Sequence, residues 1–403
     1  MVGIPAASRD KRLLVLGAGP AQLGLLRAAR ERSLFVIALD RDPAAPGFEF
    51  ADRRAVVSSE DEPAIGMLAA AEELDGVIAP GIDWPVAIAA RLAARLGLSH
   101  PLSPETAALT VSKLRQRERL AEHEVPQPEW RVVTEAPDDL AVPLVVKPPD
   151  RQGQKGLTLV REREHLQGAV ETAVGASRTS AALVEELVEG PEVTVNAFST
   201  GGHFHPLAVN DRVTATGEAA FGVALAHVWP SEHDVEGAVE VARAAAMALG
   251  IENGPTYTQV VLGPEGPKVM ELAARVGGGH DAELCLAAVG VDLNGLALAA
   301  ALGEPVEVPN PKPKGGACVR FLVAPTGTLE SVEGMDEALA LEGIVDARVY
   351  RRPGWAFTPL RRGADRAGFV LATGSSRDDA LSKADRAAEL IRFETADAEA
   401  LVP

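Results

Sequence analysis

The opening of the chain constrains its fold more than any other stretch. An apolar run, Leu13-Leu-Val-Leu16, passes directly into Gly17-Ala-Gly19-Pro-Ala-Gln22-Leu-Gly24, and an Ala/Leu/Arg segment follows to about Arg32. A second apolar run over residues 34–39 ends at Asp40. Strand, glycine turn, helix, and strand closed by an acid make the first unit of a doubly wound parallel sheet, since a parallel pair needs a crossover to bring the chain back. Further strands are expected at 55–57 and 76–79, and helices near 63–73 and 85–96. Residues 1–110 therefore read as one parallel α/β domain.

That turn could hold a dinucleotide, but the fingerprint wants a third glycine where this chain has Gln22. Asp40 suits a ribose, yet acids at strand ends are common. A structural turn, or a different ligand at the helix N-terminus, is the expectation ahead of a nicotinamide cofactor. The net charge of -18 argues against nucleic-acid binding, which wants a basic face. No apolar stretch reaches the length of a membrane span, and the early apolar run is too short for a signal peptide, so a cytoplasmic protein is expected. Cys285 and Cys318 lie far apart in apolar surroundings and read as two buried free thiols.

Beyond the first domain the reading alternates. A helix is expected over 112–123, strands at 130–133 and 144–147, a polar glycine loop at 150–156, and strands at 157–160, 183–187 and 192–199. A long Ala-rich helix over 235–249 precedes strands at 259–262 and 268–272. Pro309-Asn-Pro-Lys-Pro-Lys-Gly-Gly316 reads as a linker. The tail after it should hold strands near 317–323, 344–350 and 368–373 and a helix over 377–391.

The chemistry lies in an ordered set. Lys113 opens a helix, and Lys147 ends an apolar strand. Gly153-Gln154-Lys155-Gly156 follows, then Leu183-Val-Glu185-Glu186-Leu187-Val188 running into Gly190-Pro-Glu192. Cationic side chains with the backbone N–H groups of a glycine loop can clamp phosphates. An apolar strand with free edge groups can hydrogen-bond an adenine, and an acid shortly after it can take ribose hydroxyls. Singly, each piece has an ordinary structural reading; the order is what points to a nucleotide.

In this order the motifs resemble the ATP-grasp superfamily, close to the carboxylate–amine ligases and the carbamoyl-phosphate-synthase and biotin-carboxylase type. The resemblance covers nearly the whole chain. It implies an α/β and α+β protein: an N-terminal parallel domain over 1–110, an ATP-grasp domain over 111–308 in two α+β halves (about 111–181 and 182–308), and a small C-terminal α+β domain over 309–403. Arg366-Ala-Gly-Phe-Val370 and Gly374 carry the likeness to amino-acid ligases in that tail. The resemblance further implies that Lys113 and Lys147 hold ATP phosphates. Gly153, Gln154 and Gly156 would close over them, with Lys155 as an extra cation. Residues 185–188 (Glu185, Glu186, Leu187 and Val188) would be the adenine hinge, and Glu192 would bind ribose.

In Glu271-Leu-Ala-Ala-Arg275-Val-Gly277-Gly-Gly279, Glu271 would hold Mg²⁺ (or Mn²⁺), Arg275 would neutralise the acyl phosphate, and the glycines would let substrate near the backbone. Arg212 and His227 match a stretch that often lines the substrate cavity. The activity implied is ATP-dependent joining of a small carboxylic acid to an amine, with ADP and phosphate released; the apolar face of the first domain is compatible with a homodimer, and the sequence does not fix the oligomeric state. Two positions depart from the pattern. Gln259 stands where a second acid is usual, and Ala273 where Asn is usual. An amide oxygen can still coordinate Mg²⁺, with less charge. A close variant that carboxylates or formylates a small molecule, with bicarbonate or formate as the acid, stays open, and the two departures keep open a protein that binds nucleotide without turnover. His280, Asp281 and Glu283 read as a helix start with early acids, and His203 and His205 as exposed residues of a hairpin turn.

Overall fold

A computed structural model describes residues 11–396. The ends of the first and last expected segments, residues 1–10 and 397–403, lie outside the described residues. The first body contains β1 (Arg12–Leu16), α1 (Leu23–Glu31), β2 (Phe35–Asp40), β3 (Arg53–Val56), α2 (Glu62–Ala70), β4 (Gly76–Ile78) and α3 (Trp84–Leu96). Its four strands are parallel in the order β3-β2-β1-β4. The middle of β1 and of β2 is buried without alternation, as a sheet covered on both faces requires. Gln22 explains why the turn after β1 is structural. It is 1% exposed, and its side chain lies 3.0–3.3 Å from where a Cβ on Gly17 would stand. Its Nε2 donates to Pro80 O at 2.7 Å. Asp40 is equally committed, accepting from Ala18 N at 3.0 Å and Asp42 N at 2.9 Å.

Two helices, α4 (Pro104–Thr110) and α5 (Lys113–Glu122), lead onward. Ser112 starts α5 as its N-cap, accepting from Arg115 N. A small antiparallel sheet follows from β5 (Trp130–Val133), β6 (Leu144–Lys147), β7 (Thr158–Val160) and β8 (Ala182–Glu186), in the order β5-β8-β6-β7, with α6 (Leu166–Ala176) on one side. It keeps its own core, including Val146, Val160, Val170 and Val184.

The rest of the chain builds an eight-stranded sheet. Its strands begin with β9 (Glu192–Thr200), β10 (His203–Thr214) and β11 (Ala224–Trp229); after α7 (Glu236–Ala248) come β12 (Gly254–Gly263) and β13 (Gly266–Ala273). Helices α8 (Asp281–Val289) and α9 (Leu293–Ala301) lead to the tail, which holds β14 (Gly316–Leu322), β15 (Gly327–Glu333), α10 (Met335–Leu339), β16 (Ile344–Val349), β17 (Ala356–Phe357), β18 (Gly368–Gly374), α11 (Arg377–Leu390) and β19 (Arg392–Ala396). The order β13-β12-β9-β10-β11-β14-β18-β16 shows three tail strands extending the central sheet, while β15, β17 and β19 form a small sheet of their own.

The period of two along these strands sorts chemistry from core. Val193, Val195, Val260 and Val269 point to one face and pack in a cluster with Ala238, Val241, Ala242 and Ala245 of α7. Glu192, Thr194 and Asn196 point to the other face, joined in register by Tyr257 and Gln259, by Glu271, and by Asn210, Arg212 and His227. One of these strands was hard to read. His203 and His205 lie on β10 itself, and the turn before it is Gly201–Gly202, with φ of 56° and 81°. Pro206 and a bulge between Pro206 and Ala208 break the alternation that would have marked β10 as a strand. Both cysteines are free and buried, with their thiols pushed up to about 12 by burial.

Candidate active site

A cleft lies between the small sheet and the polar face of the large one. Its empty space is about 850 Å³ counting the open mouth. One wall carries Val145, Lys147, Leu157 and residues 185–188; the other carries Glu192, Arg212, Gln259, Val261, Met270 and Glu271. Lys113 and the loop over 151–155 also line it. Thus most residues singled out in the sequence converge here from five separate stretches. Gly156 sits at the loop's base, where a Cβ would come within 2.9 Å of the Ala176 side chain. Gly153, Gln154 and Gly156 all have left-handed backbones, with φ of 65°, 60° and 74°, which suits glycine at the two positions that have it.

One buried and one half-buried ion-pair group fix the floor. Glu185 is 3% exposed and sits between two cations, Arg117 Nε at 2.7 Å and Lys147 Nζ at 2.6 Å. Burial alone would raise its carboxyl, but Arg117 and Lys147 bring it down to about 2. Burial lowers Lys147, with Arg117 and Lys113 adding to that and Glu185 opposing it. The second group pairs Lys113 Nζ with Glu271 Oε1 at 2.6 Å, and Lys113 also donates to Arg151 O at 2.8 Å. Burial opposes both charges here; Glu271 and then Asp83 nevertheless hold Lys113 above its usual range, and Lys113 holds Glu271 below its own.

Around this floor, Glu186 pairs with Lys268 at 2.6 Å, and Glu192 pairs with Arg212. Gln259 stands opposite Glu271 in the β12–β13 register, and its amide nitrogen donates to Tyr257 Oη at 3.2 Å. An amide oxygen facing a carboxylate across a strand pair fits one Mg²⁺ that takes its other oxygens from phosphates and water. Lys155 is exposed, and among the described residues it has no hydrogen-bond or ion-pair partner.

Arg275 is placed differently. It does not line the cleft but reaches the first body, with Nε 2.7 Å and Nη2 2.6 Å from Asp83 Oδ1. The glycine turn after it is filled by protein. A Cβ on Gly278 would stand 2.8 Å from Gly81 O, and one on Gly279 2.6 Å from the His227 ring. The close approach that these glycines permit is therefore between parts of the chain itself. His280 occupies the N-cap position of α8 in a left-handed conformation, and Asp281 is fully buried, with Oδ1 3.2 Å from His227 Nδ1. Asp281 thus pairs inward and is not a solvated first-turn acid.

Arg117 escaped the sequence reading. It donates to Glu185 and to the carbonyls of Val269 and Met270 at 2.9 and 2.7 Å, tying the small sheet to β13. The available signal was its spacing four residues after Lys113, which puts both cations on one helix face.

Two α+β halves closing on one cationic cleft, preceded by a parallel sheet, are the architecture of the ATP-grasp fold, and this chain has that fold. Residues 110–279 match the ATP-grasp domain family, and residues 320–396 match the L-amino acid ligase C-terminal domain 2. The formate-dependent phosphoribosylglycinamide formyltransferase of Burkholderia lata is 26% identical, over 97% of this chain and 97% of that protein. An L-amino acid ligase from Bacillus licheniformis superimposes with a TM-score of 0.81 at 21% identity, over 97% of this chain and all of that one. The biotin carboxylase domain of the Hydrogenobacter thermophilus 2-oxoglutarate carboxylase, solved with MgADP and bicarbonate, gives 0.77 at 17% identity, over 96% of this chain and 91% of that one.

Proposed function

We propose that the protein is an ATP-dependent carboxylate–amine ligase acting on small molecules. The observation that carries this reading is the convergence of Lys113, Lys147, Lys155 and Glu271 on one cleft of nucleotide size. In this reading a carboxylate oxygen of the acid attacks the terminal phosphorus of ATP, and ADP leaves. The amine nitrogen then attacks the acyl carbon, and phosphate leaves. Such transfers need positioning and charge neutralisation more than covalent help from the protein.

Lys113 and Lys147 are already fixed by carboxylates and would orient phosphates, while unpaired Lys155 would close on them with its loop. Residues 185–188 would hold the adenine and Glu192 the ribose. Glu271 with Gln259 would hold a single Mg²⁺, which supplies charge neutralisation to the phosphates. Arg275 would act from the edge of the cleft, set in place by Asp83.

The experiment is ADP release from Mg-ATP against a matrix of amino acids and small carboxylic acids offered in pairs. Release that requires one acid and one amine is the expected result. Release of AMP and pyrophosphate would sink the reading. Formate and bicarbonate belong in the matrix because of the full-length similarity to a formate-dependent enzyme.

A further inference from the structure

The small sheet and its helix reach the first body through a side chain that the ligase reading does not use. Arg178 stands in the turn between α6 and β8. Its guanidinium lies 3.9 Å over the Trp84 ring and pairs with Glu60, and both of those residues belong to the first body. Its Nη1 donates in the other direction, to Asp150 O at 2.7 Å. A guanidinium suits this bridge, since its face stacks on an indole while its edge still donates in plane.

The near end of the bridge is fixed. Asp150 Oδ2 accepts from Arg178 N at 2.9 Å, from Thr179 N at 3.1 Å, and from the hydroxyls of Ser177 and Thr179 at 3.2 and 3.3 Å. Asp150 is 6% exposed and directly precedes Arg151, whose carbonyl accepts from Lys113 in the cleft. Arg178 is therefore tied to the base of the glycine loop. The far end is fixed as well. Trp84 is the first residue of α3, and Asp83 before it holds Arg275 just after β13. The contact between the two ends lies near the surface: the Arg178 and Glu60 side chains keep 21% and 43% of their exposure. It can break without opening a core, because the apolar cluster of the small unit stays within residues 133–184.

We propose that Arg178, stacked on Trp84 and paired with Glu60, is a latch that holds the small-sheet unit and the base of its glycine loop against the first body, and that the cleft opens when this contact breaks. The latch goes beyond the ligase reading. Its test uses no ligand, so either can fail alone.

The test is amide exchange over 130–186 in the full chain without nucleotide, for wild type, Arg178→Ala, Trp84→Leu and the double variant. Each single variant should exchange about three- to tenfold faster over 130–186, with β1 and β2 unchanged. The double variant should be no faster than Arg178→Ala alone, since one contact can be lost only once. Trp84→Leu leaves every bond around Asp150 in place, so faster exchange there reports the bridge and not the turn. A Trp84→Leu rate over 130–186 equal to wild type, or a double variant whose two effects multiply, overturns the latch and leaves Arg178 as a brace of its own turn. If Trp84→Leu does not fold, or loosens β1 and β2, Glu60→Lys carries the test from an exposed position. It sets like charge against Arg178, so exchange over 130–186 should quicken several-fold, and by less at high salt. No change in that variant overturns the proposal.

Discussion

Glu185 shows how a single buried carboxylate can serve structure and site together. It compensates Arg117 and Lys147, so Glu185→Gln would leave two cations out of water with too little negative charge. The expected cost is about 3–5 kcal/mol in denaturant unfolding. The pH dependence has a definite sign. The folded carboxyl titrates near 2 against an ordinary 4.5, so its contribution is full above 4.5 and is lost as pH falls towards 2. That contribution is about 3 kcal/mol. Wild-type stability should fall by that amount between these limits relative to the glutamine variant, and parallel pH profiles would refute the assignment. Gln259 gives a second residue-scale prediction. Glu in its place would face Glu271 and supply the missing metal charge, so half-saturation by Mg²⁺ in ATP-dependent stabilisation should drop about tenfold. No change would mean that position 259 does not face the metal. Lys113, Lys147 and Glu271 could be picked out in the sequence because their order is local to recognisable strands and loops. Arg117 could not, because its partners lie 68, 152 and 153 residues away.

At the scale of elements, the loop over 151–156 is the part built to move. It combines three left-handed residues and an exposed Lys155; Arg151 at its start is held by Lys113 and by Ala176 O, and beyond it the Gln154 side chain spans Gly222 and Gly363. Gln154→Ala would cut that contact without touching Lys113, Lys147 or Lys155. Trypsin should then cut at Arg151 or Lys155 several-fold faster than in wild type, and Mg-ATP should restore protection in both. Equal cleavage rates without nucleotide would show that this contact is not holding the loop. Gly153→Ala should act in the same direction, since its Cβ would meet nothing while its backbone, at a φ of 65°, would be strained by about 1 kcal/mol. The loop was legible as glycine-rich, but its anchor was not, because a glutamine between two glycines carries no sign of a contact more than 200 residues away.

At the scale of the molecule, the cores decide which parts can separate. The first body shares its apolar cluster with the central sheet and the tail: Leu13, Val15 and Leu25 pack in one group with Phe198, Trp229, Phe369 and Leu371. Period-two and period-3.6 patterns marked each element as amphipathic, but they do not say which faces meet, so this shared core was invisible in the sequence. The small sheet with α6 is different, because its cluster is confined to residues within 133–184. Polar ties join it to the rest through Arg117 to Glu185, Lys113 to Arg151 O, Lys268 to Glu186 and Arg178 to Glu60. A unit with its own small core and few outside ties should open at lower free energy than the whole. Amide hydrogens over 130–186 should therefore exchange faster than those of β9, β10, β12 and β14 in the absence of nucleotide. On the proposed binding mode, Mg-ATP should slow exchange over 130–186 by more than it slows the central sheet. Uniform exchange across both sheets, with or without nucleotide, would mean that the halves are one rigid body and that the cleft does not close by their relative motion.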